Sequence, residues 1–299
     1  MSSDAVHVDI PQARRLVAAQ FPEWADLPVT PVSSSGVDNI TFRLGDDMLI
    51  RMPRFARWIG QVTREQRWLP VLAPHLPLAV PVPLGKGRPG EGYPFPWSAY
   101  RWIEGSNADL ANLSDHRQAA VDLADFLLAL REIDASDGPP PEWSNGFRGV
   151  GLHDPRDSPI VDSYLRERIS VLDGFFDIDA VLAVWQAGLD APAWGGPPVW
   201  VHGDPVPANM LARDGRLAAV IDFGTLAVGD PAVDLIAAWG FLPAGGRDEF
   251  RKLLAVDDAT WARGRVWGLT SLLPSKADLA DPVRAARAHQ ALTEIVADL

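Results

Sequence analysis

The sequence predicts an α+β protein in two lobes, an antiparallel-sheet lobe followed by a mainly helical one. Three observations predict it. Short apolar runs bounded by Gly, Pro, Ser and Asn crowd the stretch up to residue 105, as strands and their turns do. Beyond Gly105 the apolar residues recur at helical spacing instead. One stretch, 199–235, breaks that helical texture with two strand-like runs that each lead into an acidic loop.

Length and composition set the outer bounds. At 299 residues, 47% of them hydrophobic, the chain suits one large or two modest domains with a substantial core. It has no cysteine, which excludes disulfides and cysteine-based zinc sites. No charged-then-apolar leader opens the sequence and no apolar run approaches membrane-spanning length. A soluble cytoplasmic protein with no membrane partner is therefore expected. The net charge of −12 argues against nucleic acid as a partner. That charge is lopsided. Residues 1–105 carry 11 Lys and Arg against 10 Asp and Glu, whereas residues 106–299 carry 16 against 29. The acidic second half is either solvated surface or an attractor for a cationic ligand.

The first half reads in order as follows. Residues 11–21 form a short amphipathic helix, and 29–32, 39–44 and 48–53 read as strands. Between the first two lies Ser33-Ser34-Ser35-Gly36-Val37-Asp38. Small residues let a turn come close to phosphate, with backbone N–H groups aimed at anionic oxygens. Arg51 is the single cation of the run Met48-Leu49-Ile50-Arg51-Met52-Pro53. Residues 57–69 are helical, with Ile59, Val62 and Leu69 at helical spacing and Pro70 as the stop. Glu65 falls on this helix and is the best partner for Arg51. Gly85-Lys86-Gly87-Arg88-Pro89-Gly90 matches G-x-G-x-x-G, but Tyr93-Pro94-Phe95-Pro96 follows and no helix can start there. It reads as a loop between strands, not as a dinucleotide site. Residues 97–104 form a strand that ends at Gly105.

The second half is helical. Residues 114–133 carry a stripe of Ala119, Leu123, Phe126, Leu127 and Leu130 behind a Ser114 cap. Residues 134–160 are rich in Gly and Pro and form a long loop on the substrate side. Helices are expected over 161–172, 178–189, 231–239 with proline in its first turn, 247–254, 258–273 and 282–296. There is no internal repeat. The twelve tryptophans are core and wall residues, and any that face a cleft can stack on a base or sugar.

The chemistry concentrates in 199–235. Val199-Trp200-Val201 leads into His202-Gly203-Asp204, and Asn209 follows five residues after the aspartate. The run 217–221 leads into Asp222-Phe223-Gly224, then Asp230 and Asp234. Arg213-Asp214-Gly215-Arg216 is a hairpin turn with Asp-Gly at its centre, which brings Asp204, Asn209 and Asp222 together. Carboxylate and amide oxygens suit Mg²⁺, and a further carboxylate can take the proton of an attacking hydroxyl. His202 orders the loop through hydrogen bonds, while Asp230 and Asp234 act as turn and helix-start acids. A lone His-Gly-Asp is usually a turn, and Asp-Phe-Gly arises by chance. The joint pattern, in this order and behind strand-like runs, is the layout of a kinase catalytic loop and metal site.

HGDPVPANML followed by VIDFG and GDPAVDL resembles the aminoglycoside phosphotransferase family, with its macrolide-kinase and choline-kinase-like relatives. The likeness runs from about Val32 to the C-terminal helices. It implies a two-lobed protein-kinase-like fold. Residues 1–105 would be an N-lobe with a nucleotide-binding sheet and one main helix, and residues 106–299 a C-lobe with the catalytic loop, metal site and substrate-binding helices. It further implies transfer of the γ-phosphoryl group of ATP or GTP, with Mg²⁺, to a hydroxyl of a small molecule. A cationic aminoglycoside is the first choice, a macrolide the second, a choline- or sugar-type metabolite the third. In this plan Asp204 is the catalytic carboxylate, and Asn209 and Asp222 bind the metal. Ser34 and Ser35 approach the phosphates, Arg51 steadies them, Glu65 holds Arg51, and the backbone around Tyr100 and Trp102 bonds the purine. Arg51 departs from the usual kinase lysine, and the two cations are not interchangeable. Some drug-kinase relatives carry arginine at this place. No Ala-Pro-Glu follows Asp222, which disfavours a protein acceptor. The rival from another class, a non-catalytic nucleotide-binding protein on the same fold, is favoured by loss of Asp204, Asn209 or Asp222; all three are present. A hydrolase is weaker still, with no G-x-S-x-G and no H-E-x-x-H in the chain.

Overall fold

Strand alternation decides how the first lobe is built. The computed structural model describes residues 5–32, 38–109, 111–153, 165 and 167–299. Five antiparallel strands, β1 (Val29–Pro31), β2 (Asn39–Leu44), β3 (Met48–Pro53), β4 (Pro83–Gly87) and β5 (Trp97–Arg101), lie in the order β1-β2-β3-β5-β4. Because side chains alternate along a strand, one face collects Phe42, Leu44, Ile50, Met52, Trp97 and Ala99. These bury against Ala13, Leu16 and Val17 of the helix α1 (Ile10–Gln20). The opposite face presents Thr41, Leu49, Arg51 and Tyr100 to a cleft. Arg51 therefore stands mid-sheet, opposite Thr41 on β2 and Ser98 on β5.

The helix α2 (Ile59–Leu72) runs through Pro70 instead of stopping before it. Pro70 sits in the last turn, where its missing N–H costs one hydrogen bond, and the buried Leu69 and Leu72 keep that turn on the core. The G-x-G-x-x-G match also resolves differently from a loop. Gly85 and Gly87 lie inside β4, paired with Ala99 and Trp97 of β5. A Cβ on Gly87 would come 2.0 Å from the Trp97 ring, and one on Gly85 would come 2.7 Å from Phe21. These glycines make room for aromatic rings. No helix follows them, so the dinucleotide motif is absent, as expected.

The second lobe carries α3 (His116–Glu132), α4 (Ile178–Asp190), α5 (Ile236–Gly240), α6 (Ala244–Leu254), α7 (Asp258–Leu272), α8 (Lys276–Leu279) and α9 (Pro282–Ala297). The expected helix over 161–172 falls mostly outside the described residues. Aspartates begin these helices. Asp115, Asp177, Asp257 and Asp281 each accept from backbone N–H groups of the first turn of α3, α4, α7 and α9. Asp115, not Ser114, caps α3, while Ser114 Oγ donates to the Gly215 carbonyl. Among the described residues no helix is long and apolar enough to cross a membrane.

Two further small sheets complete the fold. β6 (Ser106–Asn107), β8 (Met210–Arg213) and β9 (Arg216–Val220) form one, and β7 (Val199–Val201) pairs with β10 (Ala227–Gly229) in the other. Asp214 and Gly215 both have positive φ, 53° and 78°, as a two-residue primed turn requires. The hairpin joins β8 to β9, and the Ile221 N–H donates to the Asn209 carbonyl at 2.8 Å. The loop after β7 and the loop after β9 thus exit side by side.

A buried ion pair ties this region to α7. Arg263 donates through Nε to Asp230 Oδ2 at 2.8 Å, and both side chains are almost fully enclosed. Asp230 also caps the turn Pro231–Leu235 through the Ala232 N–H. Truncating one partner of such a pair leaves an uncompensated charge. Asp230→Ala should therefore lower the unfolding free energy by about 3–5 kcal/mol in urea titrations. The double variant Asp230→Ala, Arg263→Met should recover part of that loss.

Candidate active site

Asp234 shapes the first acidic loop. Its buried carboxylate accepts from the backbone N–H of His202 at 3.1 Å and of Gly203 at 2.7 Å. Burial pushes this carboxyl above the ordinary aspartate value, although His202, Arg131 and the two N–H groups pull the other way. His202 Nδ1 accepts from the Asp204 N–H at 3.2 Å, which leaves its Nε2–H to donate to the Ile221 carbonyl at 3.0 Å. The imidazole thus braces the two loops, with its ring edge-on to Phe223. Gly203 has φ +86°, and a Cβ there would meet the Thr225 carbonyl at 2.9 Å. Thr225 Oγ1 closes the circuit by donating to the His202 carbonyl at 2.8 Å.

This circuit delivers three side chains to one cleft. Asn209 Nδ2 donates to the Asp204 carbonyl at 2.9 Å and to Asp204 Oδ2 at 3.1 Å. That orientation turns Asn209 Oδ1 away from Asp204. Asp222 takes a left-handed backbone conformation, φ 64° and ψ 67°. Such conformations in non-glycine residues carry strain and gather at functional sites. Asp204, Asn209 and Asp222 all line a cleft of about 580 Å³ between the sheet and the helical lobe.

Arg51 closes the other wall. Its Nη1 lies 3.1 Å from Glu65 Oε1 on α2, and its Nη2 lies 2.5 Å from Asp222 Oδ2. The Asn39 side-chain oxygen, in the orientation that satisfies its hydrogen bonds, accepts from Arg51 Nε at 3.1 Å. Tyr100 donates its hydroxyl to Glu65 Oε2. Burial raises the Glu65 carboxyl against the pull of Arg51. Burial also acts on Asp222, but there the guanidinium wins and holds the carboxyl below the usual range. Burial works against the Arg51 cation and is outweighed by the two carboxylates, so its proton is held more tightly than usual.

Each expected site residue can now be located. Arg51, Glu65, Tyr100, Trp102, Asp204, Asn209 and Asp222 line one cleft. Ser34 and Ser35 lie outside the described residues. The N–H groups of Arg101 and Trp102 are engaged by the carbonyls of Val82 and Asp47, at 2.9 and 2.7 Å. Ile103 also lines the cleft. Arg43 stacks on the Trp102 ring at 4.3 Å.

Sequence reasoning missed three residues. Arg64, buried on α2, donates to the Gly224 carbonyl and Glu142 at 2.8 Å and to Ser144 at 2.6 Å. Asn145, fully buried, donates to the carbonyls of Arg148 and Thr225 at 3.1 Å. Arg148 Nη2 lies 3.6 Å from Asp204 Oδ1. All three act across 50 residues or more of chain, and no local spacing announces them; the adjacency of Arg64 to Glu65 was the one available hint.

Known proteins share this architecture. The sequence profile described as "Phosphotransferase enzyme family" matches residues 29–267. Among solved structures, the GDP complex of wild-type aminoglycoside 2'-phosphotransferase-IIIa superposes with a TM-score of 0.71 at 18% identity, over 97% of this chain and 99% of that one. The streptomycin–ATP ternary complex of APH(2")-IIa gives 0.59 at 20% identity, over 97% and 99%. The macrolide 2'-phosphotransferase MphH from Brachybacterium faecium gives 0.59 at 23% identity, over 95% and 97%. A search of curated proteins finds no match. The fold is the two-lobed protein-kinase-like fold, with an antiparallel-sheet N-lobe and a mainly helical C-lobe. A profile match over most of the chain settles the assignment: this protein belongs to the phosphotransferase enzyme family.

Proposed function

We propose that this enzyme transfers the γ-phosphoryl group of ATP or GTP to a hydroxyl of a small molecule, with an aminoglycoside as the first acceptor class and a macrolide as the second. The observation that carries the reading is the convergence of Asp204, Asn209 and Asp222 with the Arg51–Glu65 pair on one cleft. Asp204 accepts the hydroxyl proton. Asn209 fixes the carboxylate by donating to its Oδ2. Arg51 steadies the nucleotide phosphates, and Glu65, braced by Tyr100, holds Arg51 in place. Tyr100, Trp102 and Ile103 wall the purine site.

The oxygens present fit Mg²⁺. Asn209 Oδ1 points away from Asp204, and Arg51 bonds Asp222 through Oδ2, leaving Oδ1 for a hard cation that keeps several waters and takes phosphate oxygens as ligands. Bound there, the ion would offset triphosphate charge. Asp234 is excluded from that set, because both its oxygens face backbone N–H groups.

Support for the acceptor class comes from the structural neighbours, which include complexes with streptomycin and kanamycin as well as macrolide enzymes. Part of the acidic surplus of residues 106–299 has a structural use. Asp115, Asp177, Asp230, Asp257 and Asp281 are taken up in capping turns and helices. The deciding experiment is a transfer screen of kanamycin, streptomycin, gentamicin, a macrolide and simple alcohols with both nucleotides. Turnover of a macrolide with no aminoglycoside product would move the acceptor class and leave the mechanism standing. Tight nucleotide binding with no transfer to any acceptor would favour the non-catalytic reading.

Two sets of variants test the roles. Asp204→Asn should lower kcat by at least about 10²-fold, the scale of a general base, with nucleotide affinity nearly unchanged. Asp222→Ala should abolish Mg²⁺-dependent nucleotide binding in calorimetry, whereas Asp234→Asn should lower the melting temperature through the His202–Gly203 loop. Arg51→Lys should stay folded and partly active, since charge and reach are kept while the bidentate fork is lost. Arg51→Ala should raise the nucleotide KM. Equal kinetics in these Arg51 variants and the parent would remove Arg51 from the site.

A further inference from the structure

Arg148 belongs to none of the sequence motifs, yet its position is closely determined. Asn145 holds its carbonyl at 3.1 Å, and its Cβ packs on Gly203, where an added Cβ would come within 2.9 Å. Arg148 Nη1 donates to Ser271 Oγ on α7 at 3.1 Å, and the guanidinium carbon lies 5.8 Å from the Trp267 ring centroid. Nη2 is left facing Asp204 Oδ1 at 3.6 Å. That separation is an ion pair, beyond the range of an N–H···O hydrogen bond. Both side chains remain partly open, at 22% and 29% exposure.

The two oxygens of Asp204 differ. Oδ2 accepts from Asn209, and Oδ1 faces Arg148. A hydroxyl held by Asp204 therefore reacts within reach of the guanidinium. During transfer the acceptor O–H breaks and its proton passes to Asp204. The freed oxygen pair forms the new O–P bond. The bond from the γ-phosphorus to the bridging oxygen breaks, and its electron pair leaves on the nucleoside diphosphate. Negative charge thus leaves the Asp204 carboxylate as the phosphoryl oxygens arrive beside it.

We infer that Arg148 is a catalytic residue whose guanidinium exchanges Asp204 for an oxygen of the phosphoryl group in flight. A contact that strengthens along the reaction speeds chemistry, whereas one made equally in the ground state only tightens binding. Ser271 and Trp267 hold the guanidinium in advance and Asn145 holds the backbone behind it, so little reorganisation opposes the exchange. The inference rests on the phosphoryl-transfer reading above.

The test compares the full-length parent with Arg148→Gln, Arg148→Lys and Arg148→Ala. Arg117→Ala serves as a surface control, because Arg117 pairs with Glu249 at the exposed end of α3. Each protein is given ATP or GTP with kanamycin, with erythromycin, and with water alone, whose attack appears as nucleotide hydrolysis. Arg148→Gln should lower kcat by about 10²-fold or more, the scale for losing one charge-stabilising donor, with nucleotide KM and melting temperature unchanged. Added guanidinium ion should restore rate to Arg148→Ala and leave the control unmoved, a rescue that a purely structural role would not give. Normal kcat in Arg148→Gln, or a loss confined to KM or stability without guanidinium rescue, overturns the role of Arg148 alone. A parent that neither phosphorylates an acceptor nor hydrolyses either nucleotide overturns the phosphoryl-transfer reading instead.

Discussion

The partly buried charge of Arg51 is the constraint on which the cleft depends. Alternation along β3 turns this side chain away from the apolar face packed on α1 and toward α2 and the loop that carries Asp222. A guanidinium largely withdrawn from water needs compensating charge. Glu65 and Asp222 supply it from two different parts of the chain, at 3.1 and 2.5 Å. One side chain on the sheet thereby sets the spacing between sheet, helix and catalytic hairpin. Arg64 repeats the tie one residue before Glu65, reaching Gly224 and Glu142 from the same helix. The first lobe's helix is thus fastened to the second lobe's acidic loop at two successive positions.

The hairpin loops are held in a different way. Their order comes from backbone groups answered by buried side chains, with Asp234 accepting from the N–H groups of His202 and Gly203, and His202 donating to the Ile221 carbonyl. This division explains why a chain with so many aspartates keeps few of them at the cleft. Most of the motif's acids are structural, and Asp204 and Asp222 are the ones that reach the open space. The strain of Asp222, at φ 64°, is borne by the Arg51 contact and by the enclosed Phe223 that follows.

What could be read from the sequence follows the range of the interactions. Strands β2 and β3 fall on the expected residues, because period-two alternation and flanking turns are local signals. The Asp214-Gly215 turn and the meeting of Asp204, Asn209 and Asp222 follow from equally local chemistry. Pro70 misled as a helix stop because tertiary burial of Leu69 and Leu72 outweighs one lost hydrogen bond. Gly85 and Gly87 resembled a loop because their reason, the rings of Phe21 and Trp97, lies elsewhere in the chain. The acidic half could be read as solvated surface or as an attractor for a cation because capping aspartates and ligand-facing aspartates look alike in composition. Arg64, Asn145 and Arg148 acquire meaning only through contacts made across the fold.

The central claim is direct transfer from nucleotide to an alcohol held at Asp204. A single-turnover experiment with γ-labelled ATP or GTP, excess protein and the acceptor found in the screen tests it most directly. Label should leave the nucleotide and appear on the acceptor at the same rate, with none on the protein at any time. Label accumulating on the protein before it reaches the acceptor would contradict direct transfer, and nucleotide that stays bound and intact would contradict transfer altogether.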